Sequence, residues 1–557
     1  MKFSQMSYQR VDGEALKKSL RELTARSAVS VSAEEQFAVH KDYYALMADA
    51  NTYMTLASIR HDIDTTEPFY KAEKEYYDNL RPEVANLDTE YHKVLFGSPF
   101  RAEMEEKLGA PAFKNIEISM RANDEKLIPL RQQENALTSR YSNLIASARI
   151  EFEGGTYNLA MLRPFLVDGS RDTRSRAWEA LSAWFQEKTA EIDDIYDQLV
   201  RNRTAQAKML GMENFVELGY LRMRRNCYDR KMVENFRDQV KKYLVPYVSE
   251  LHEKRRVRLG VDKLCHYDND VYFAHGNPAP VGTPEQILAA GRAMYAELSP
   301  ETREFMDFMC ENELFDVLGR PNKRQGGYMT FLPNYRSPFI FANFNGTNGD
   351  ADVITHECGH AFQGYLMRDE EIREFTNIGM ETAEIHSMSM EYFTYPWMEK
   401  FFGPAKDEYL QMHLADSIIF IPYGCMVDEF QHIVYENPDL TSAERKAAWA
   451  RLEKEYRPHL HFEGDDYLSG GIWQRQHHIF TSPFYYIDYA LASIVAMEFK
   501  VKMDEDYQAA WADYLKLCKL SARDFYVNIL PQANLRVPFE DGFVQSLVEK
   551  FRVKTAE

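Results

Sequence analysis

The chain has 557 residues, 45% of them hydrophobic and 13% aromatic, so it can bury a large core and has room for about two to four domains. A formal net charge of −20 argues against a nucleic-acid-binding surface, which must be basic, and suits cationic or neutral peptides or simple solubility. No run of 18 apolar residues occurs, so no membrane-spanning helix is expected.

The opening stretch Met1–Arg10 lacks the apolar core of a signal peptide. The six cysteines (Cys227, Cys265, Cys310, Cys358, Cys425, Cys518) are scattered without paired spacing. Both features fit reduced thiols and a cytoplasmic location. Apolar residues at helical spacing predict helices over Ala33–Tyr53, Pro68–Leu80 and Pro129–Glu151. No tandem repeat or low-complexity linker is present. Glu153-Gly154-Gly155 interrupts the pattern, and Leu162–Asp172 reads as a loop leading into a capped helix. A boundary near 170 divides an N-terminal helical region, 1–170, from a second region, 171–557. The basic helix that begins Arg171-Asp-Thr-Arg174 reads equally as a solvated face. At Leu221–Tyr228, Arg224 and Arg225 could meet a peptide carboxylate, but surface salt bridges are the favoured reading.

The β signal comes late, in Gly326–Phe331 and Pro338–Phe344, around a Pro333-Asn334 turn. Two readings stay open for this pair of strands: a plain core hairpin, or an open edge to which an extended peptide adds through main-chain hydrogen bonds. Asn348-Gly349 then marks a turn, with Asp350 or Asp352 placed to cap the helix that follows. That helix carries His356-Glu357-Cys358-Gly359-His360. Residues four apart stand one turn above each other, so His356 and His360 can point two imidazoles at one zinc ion. Glu357 projects to the side, where it can reach a water as general base. Gln363 and Leu366 stand where a metzincin would have glycine and a third histidine. The third ligand is instead sought on the helix Gly379–Tyr395, where Glu381, Glu384, Met388 and Glu391 share a face. Glu384 is the candidate ligand, and Glu391 is the first choice for an outer acid, with Glu381 and Asp352 behind it.

Further on, Ser482-Pro483 reads as a helix start that sets Tyr485, Tyr486 and Tyr489 along one face. Three phenols together read either as core packing or, beside a zinc site, as donors to a developing oxyanion.

As a set, these motifs resemble the thimet oligopeptidase/oligoendopeptidase F family of zinc metallopeptidases, especially its bacterial oligoendopeptidase branch. In that family H-E-x-x-H is followed some two dozen residues on by a glutamate, and seven positions later by another. Those places are His356, His360, Glu384 and Glu391 here. The likeness covers most of the chain from about Leu162 onward and is weak before it. It implies a mainly α, two-lobed gluzincin fold, a small β-sheet beside the active-site helix and a deep substrate channel. It also implies one zinc ion per chain, oligopeptide substrates and cleavage of internal bonds. A histidine followed by tyrosines is the family's transition-state apparatus, which selects His478 over His477 and points to Tyr489 with Tyr485 or Tyr486. The thimet branch has a glycine-rich loop between that histidine and the tyrosines, whereas Thr481-Ser482-Pro483 stands here, so the choice between Tyr485 and Tyr486 stays open. Two other readings are an aminopeptidase-like gluzincin and a catalytically inactive peptide-binding protein. Against the first, the G-A-M-E-N-type element that captures a substrate amine is absent; against the second, every catalytic residue type is present.

Overall fold

The computed structural model describes residues 1–554 and is built mostly of helices. Helix α1 (Ala33–Ile63) starts where the Ser32 hydroxyl accepts from Glu35 N–H, and the Glu35 carboxylate returns to Val31 N–H. Helix α2 (Pro68–Phe96) begins with proline in its first turn, where the missing N–H costs nothing. Helix α3 (Ile128–Ala146) ends short of the predicted Glu151, because Ile150–Phe152 (β1) pairs with Gly155–Tyr157 (β2). Glu153 and Gly154 make the left-handed turn between them, at φ 46° and 78°. The expected interruption is therefore a hairpin.

Helix α4 (Arg171–Met209) is capped by Ser170. Arg171 and Arg174 both bond Asp268, so two cations of this basic stretch are structural, whereas Arg176 is exposed. Helix α5 (Phe215–Arg222) follows. A three-stranded sheet comes next, from β3 (Phe315–Leu318), β4 (Tyr328–Leu332) and β5 (Ser337–Phe344), in the order β3-β5-β4. Strand β5 is central, parallel to β3 and antiparallel to β4, and its near-continuous burial explains its unbroken apolar run. Four-residue β3 carries too short a pattern to announce itself in the sequence. Among the described residues, β4 pairs with β5 alone, which leaves its other edge without a strand partner.

Helix α6 (Gly349–Leu366) lies between this sheet and α7 (Met380–Phe393). Its predicted cap is not there: neither aspartate bonds the first-turn amides. The Asp350 carboxylate accepts from Asn345 and Gly346 N–H, both at 2.8 Å, bracing the loop from β5. Asp352 turns inward to the Tyr409 hydroxyl. Helix α8 (Lys406–Glu436) belongs to a stretch apolar enough, over 18 residues, to cross a bilayer on composition; half of that window is buried within the protein. Helices α9 (His477–Thr481) and α10 (Tyr486–Glu505) close the site. The predicted start at Ser482-Pro483 is displaced: Phe484 adopts φ 67°, which breaks helical geometry, and α10 begins two residues later. One apolar core runs from Met6 through Tyr141 and Phe480 to Phe551, tying first and last segments together.

Candidate active site

Gly359 sets the spacing on which the site depends. A Cβ there would lie 2.6 Å from Ser387 Cα and 2.7 Å from the His386 carbonyl oxygen, so only glycine lets α6 and α7 meet backbone to backbone. At that distance Glu384 of α7 reaches both histidines of α6. Its Oε2 is 3.4 Å from His356 Nε2 and 3.4 Å from His360 Nε2, and the three ligand atoms lie within 4.8 Å of one another. A tetrahedral zinc with bonds of about 2.0–2.1 Å holds its ligands about 3.3 Å apart. The donor set, two imidazoles and a carboxylate, and its spacing therefore fit zinc.

Behind these groups runs a chain of hydrogen bonds. His356 Nδ1 meets Glu391 Oε1 at 2.6 Å, Glu391 Oε2 meets His413 Nε2 at 2.7 Å, and His413 Nδ1 meets the Tyr395 hydroxyl at 2.8 Å. Although burial opposes it, the bonds to His356 and His413 hold the Glu391 carboxyl down at about 2. Glu391 thus fixes which His356 nitrogen faces the ligand position. Asp352 sits beside this chain, pushed up to about 6 by burial. Glu381 does not join it. That carboxyl is buried near Arg225 and Arg224 and makes no hydrogen bond to a histidine among the described residues, so its expected outer-acid position is not realised.

Glu357 is 7% exposed and its Oε2 has no hydrogen-bond partner among the described residues. Burial raises its pKa above the ordinary carboxylate value. Gly327, just before β4, stands against it: a Cβ there would lie 3.3 Å from Glu357 Oε1. An orphaned buried carboxylate oxygen beside a ligand set is costly unless something arrives to bond it.

From the opposite wall, the Tyr485 hydroxyl donates to Glu384 Oε1, and the Tyr489 hydroxyl lies 3.4 Å from His478 Nε2. Tyr486 also sets its ring beside His478, 5.0 Å between centroids. Burial lowers the His478 pKa to about 4, so its imidazole is neutral at neutral pH. The Gln476 amide N–H reaches His478 Nδ1 at 2.9 Å, and the Tyr423 hydroxyl holds Gln476 Oε1 at 2.8 Å. With Nδ1 accepting, the proton resides on Nε2 and faces the site. His477 points elsewhere, to Arg324 Nη2 at 3.2 Å. Arg225 overturns the surface-salt-bridge reading: it is buried, 3.1 Å from Asp488 Oδ1, and donates to the Phe484 carbonyl, so it anchors α10. Arg224 lines the cavity instead.

His356, Glu357, His360, Glu384, His478, Tyr485, Tyr486 and Tyr489 all border one cavity of about 1890 Å³. Sequence reading missed His413, Gln476 and the pair Asp62–Arg324. His413 lies on an apolar helix with no motif around it, and the others depend on contacts between distant segments.

The model for the Peptidase M3 N-terminal domain matches residues 3–123, and that for Peptidase family M3 matches residues 302–545. Among solved structures, one described as PZ peptidase A with inhibitor 2 is 47% identical, covers 99% of this chain and 98% of its own, and superposes with a TM-score of 0.97. Another, provisionally described as oligoendopeptidase F, is 46% identical with the same coverage, 99% and 98%, and a TM-score of 0.97. A third, with the same provisional description and from Bacillus anthracis str. Ames, is 42% identical over 99% of this chain and 98% of its own, at a TM-score of 0.94. Comparison with curated proteins gives no match.

Proposed function

The chain belongs to peptidase family M3, a metalloendopeptidase of oligoendopeptidase F type, and from that premise we propose that it cuts internal bonds of short unfolded peptides with one zinc ion per chain and Glu357 as general base. The observation that carries this reading is the meeting of the His356–His360–Glu384 ligand set with an unpartnered Glu357 oxygen in one cavity.

In this reading His356, His360 and Glu384 hold the metal. A zinc ion there would supply Lewis acidity and ease deprotonation of the attacking water near neutral pH. Glu357 takes the proton of the attacking water on a carboxylate oxygen and delivers it to the leaving amide nitrogen. Its raised pKa suits both halves of that task better than an ordinary carboxylate would. Tyr489 and His478 offer an O–H and an Nε2–H to the oxygen that gains charge, and Tyr485 turns its O–H hydrogen bond from Glu384 to the same oxygen. Tyr423 holds Gln476, and through it the tautomer of His478, while Tyr486 packs its ring against His478. The free edge of β4 receives the substrate as an added strand. Residues 1–170 form the N-terminal region that supplies one channel wall through Tyr44 and Asp62. The six unpaired cysteines support a cytoplasmic setting and a role in peptide turnover.

The test is a mixed-length peptide pool incubated with the purified protein, with and without a zinc chelator, and mapped by mass spectrometry. Internal cuts that vanish with chelator and return with zinc are expected. Stepwise loss from one terminus, or cutting indifferent to chelator, overturns the reading.

A further inference from the structure

The direction of β4 orients the substrate, given the strand addition proposed above. The Tyr328 hydroxyl bonds Asp62 at 3.0 Å, whereas Asn334, just past the strand, bonds Thr52 and Asp49 at 3.0 and 2.6 Å. Strand β4 therefore runs backwards along α1, from Asp62 toward Asp49. A peptide added antiparallel, the pairing slightly more stable per residue, enters with its amino end beside Asn334. Its carboxyl-terminal part leaves past Tyr328 toward Arg324 and the wall made by residues 472–478.

That wall contains a cation without a directly bonded anion: Asp270 is within electrostatic reach of Arg475 but is itself bonded to Arg163. Arg324 is committed to Asp62 at 2.9 Å and to His477. Arg163 is paired with Asp270 at 2.6 Å, and Arg457 is paired with Glu453. Asp416 accepts from the Tyr272 hydroxyl at 2.8 Å. The Arg475 guanidinium makes no hydrogen bond or ion pair among the described residues. It lies over the Trp178 ring, 5.2 Å from the centroid, and borders the channel together with Tyr423 and Tyr486. A half-buried guanidinium with unused donors is matched by a carboxylate, which can take two parallel N–H bonds. The Arg224 guanidinium, also on the channel, likewise makes no hydrogen bond or ion pair among the described residues, but it lies at α5's exit near Glu381 and not in the wall made by residues 472–478.

We propose that Arg475 forms a carboxylate subsite on the leaving-group side of the cut, taking the substrate's free C-terminus or an acidic side chain there. The inference rests on the peptidase reading and names a preference within it: bonds a short way from a carboxylate are cut fastest.

The experiment uses the full-length, zinc-loaded protein and three versions of one cleavable peptide: the free acid, its C-terminal amide, and the amide with glutamate placed near the C-terminus. Wild type is expected to show at least a tenfold higher kcat/KM for the acid than for the amide, mostly through KM. That ratio should fall to near one in Arg475→Gln and stay intermediate in Arg475→Lys. Because the ratio is read within each variant, a general loss of activity does not disguise it. If glutamate restores the rate of the amide in wild type and not in Arg475→Gln, a side chain is the natural source; if it does not, the terminus is. An acid-to-amide ratio near one in wild type with no gain from glutamate, or a preference that survives Arg475→Gln, overturns the subsite. Failure to cut any of the three overturns the peptidase reading instead.

Discussion

At Glu357 the chemistry is concentrated on one oxygen pair, and two expectations follow from its surroundings. Glu357→Gln keeps the size of the side chain and leaves His356, His360 and Glu384 untouched, while removing the proposed proton acceptor. Turnover should fall by about 10²–10⁴-fold, with zinc content and circular dichroism unchanged; near-normal kcat in a preparation free of wild type would remove Glu357 from the role. The second expectation concerns pH. A base must be ionised to act, and burial raises this carboxyl above the ordinary value near 4.3. The acid limb of kcat/KM should therefore set in at higher pH than an exposed glutamate would give, with activity lost as pH falls through it. A limb at or below about pH 4 would assign it to another group. The candidate ligand residues were legible because metal chemistry constrains such a set to a short local pattern plus one glutamate a helix away. Gln476 and His413 were not: one sets a tautomer and the other braces an acid, and neither task has a spacing that a sequence displays.

Helices can be read from apolar spacing, but their separation cannot, and in this protein the separation is what makes the site. Nothing in the sequence distinguishes Gly359 from a tolerated helix glycine, yet its missing Cβ is the reason Glu384 reaches the histidines. In Gly359→Ala the new methyl meets backbone on α7, which cannot rotate away, so the helices must part. Stability should drop by about 1–3 kcal/mol, and zinc affinity should drop with it, measured by thermal melting with and without metal and by competition with a chromogenic chelator. Unchanged zinc affinity would show that the ligand spacing has another origin. Helix starts show the opposite failing. Ser482-Pro483 has the right residue types, but the left-handed Phe484, whose N–H bonds Gln431, places the first turn later. The helical pattern of α3 likewise ran past its end, since a three-residue strand is too short to alter the period.

Across the whole molecule, distant segments meet through a few buried charges. Glu134 of α3 accepts from Arg203 and Gln206 on α4 and from Arg222 on α5, and Arg203 continues to Tyr435 and to the Phe480 carbonyl beside His478. Burial opposes its ionisation, but the two arginines win and hold the Glu134 carboxyl well below the usual range. Its contribution is then fully present above the unfolded carboxylate pKa and lost as pH falls through the lowered one. Glu134→Gln leaves two cations short of an anion, Arg203 wholly buried, and should cost about 3–5 kcal/mol, read as an earlier denaturant midpoint at neutral pH and a smaller difference from wild type in acid.

The same joining of segments shapes what can be cut. The proposed reacting groups lie inside a channel walled by Tyr44 and Asp62 from the first half and by Arg475 and Tyr423 from the second, with Glu384 only 1% exposed. A single extended strand pairs about 4.8 Å from its neighbour, so a peptide can lie along β4 and place one carbonyl near Glu357. A folded domain presents its loops with the rest of its bulk attached, and cannot bring a backbone to that depth without unfolding. A loop sequence should accordingly be cut as a free peptide and resist while part of a stable domain, with cleavage appearing only as that domain is destabilised. Equal rates for the peptide and for the intact domain, followed by mass spectrometry under conditions where the domain stays folded, would mean that the channel opens far wider than its walls imply. The Asp62–Arg324 pair, which closes the two halves over the start of β4, would be the first contact to break in such an opening.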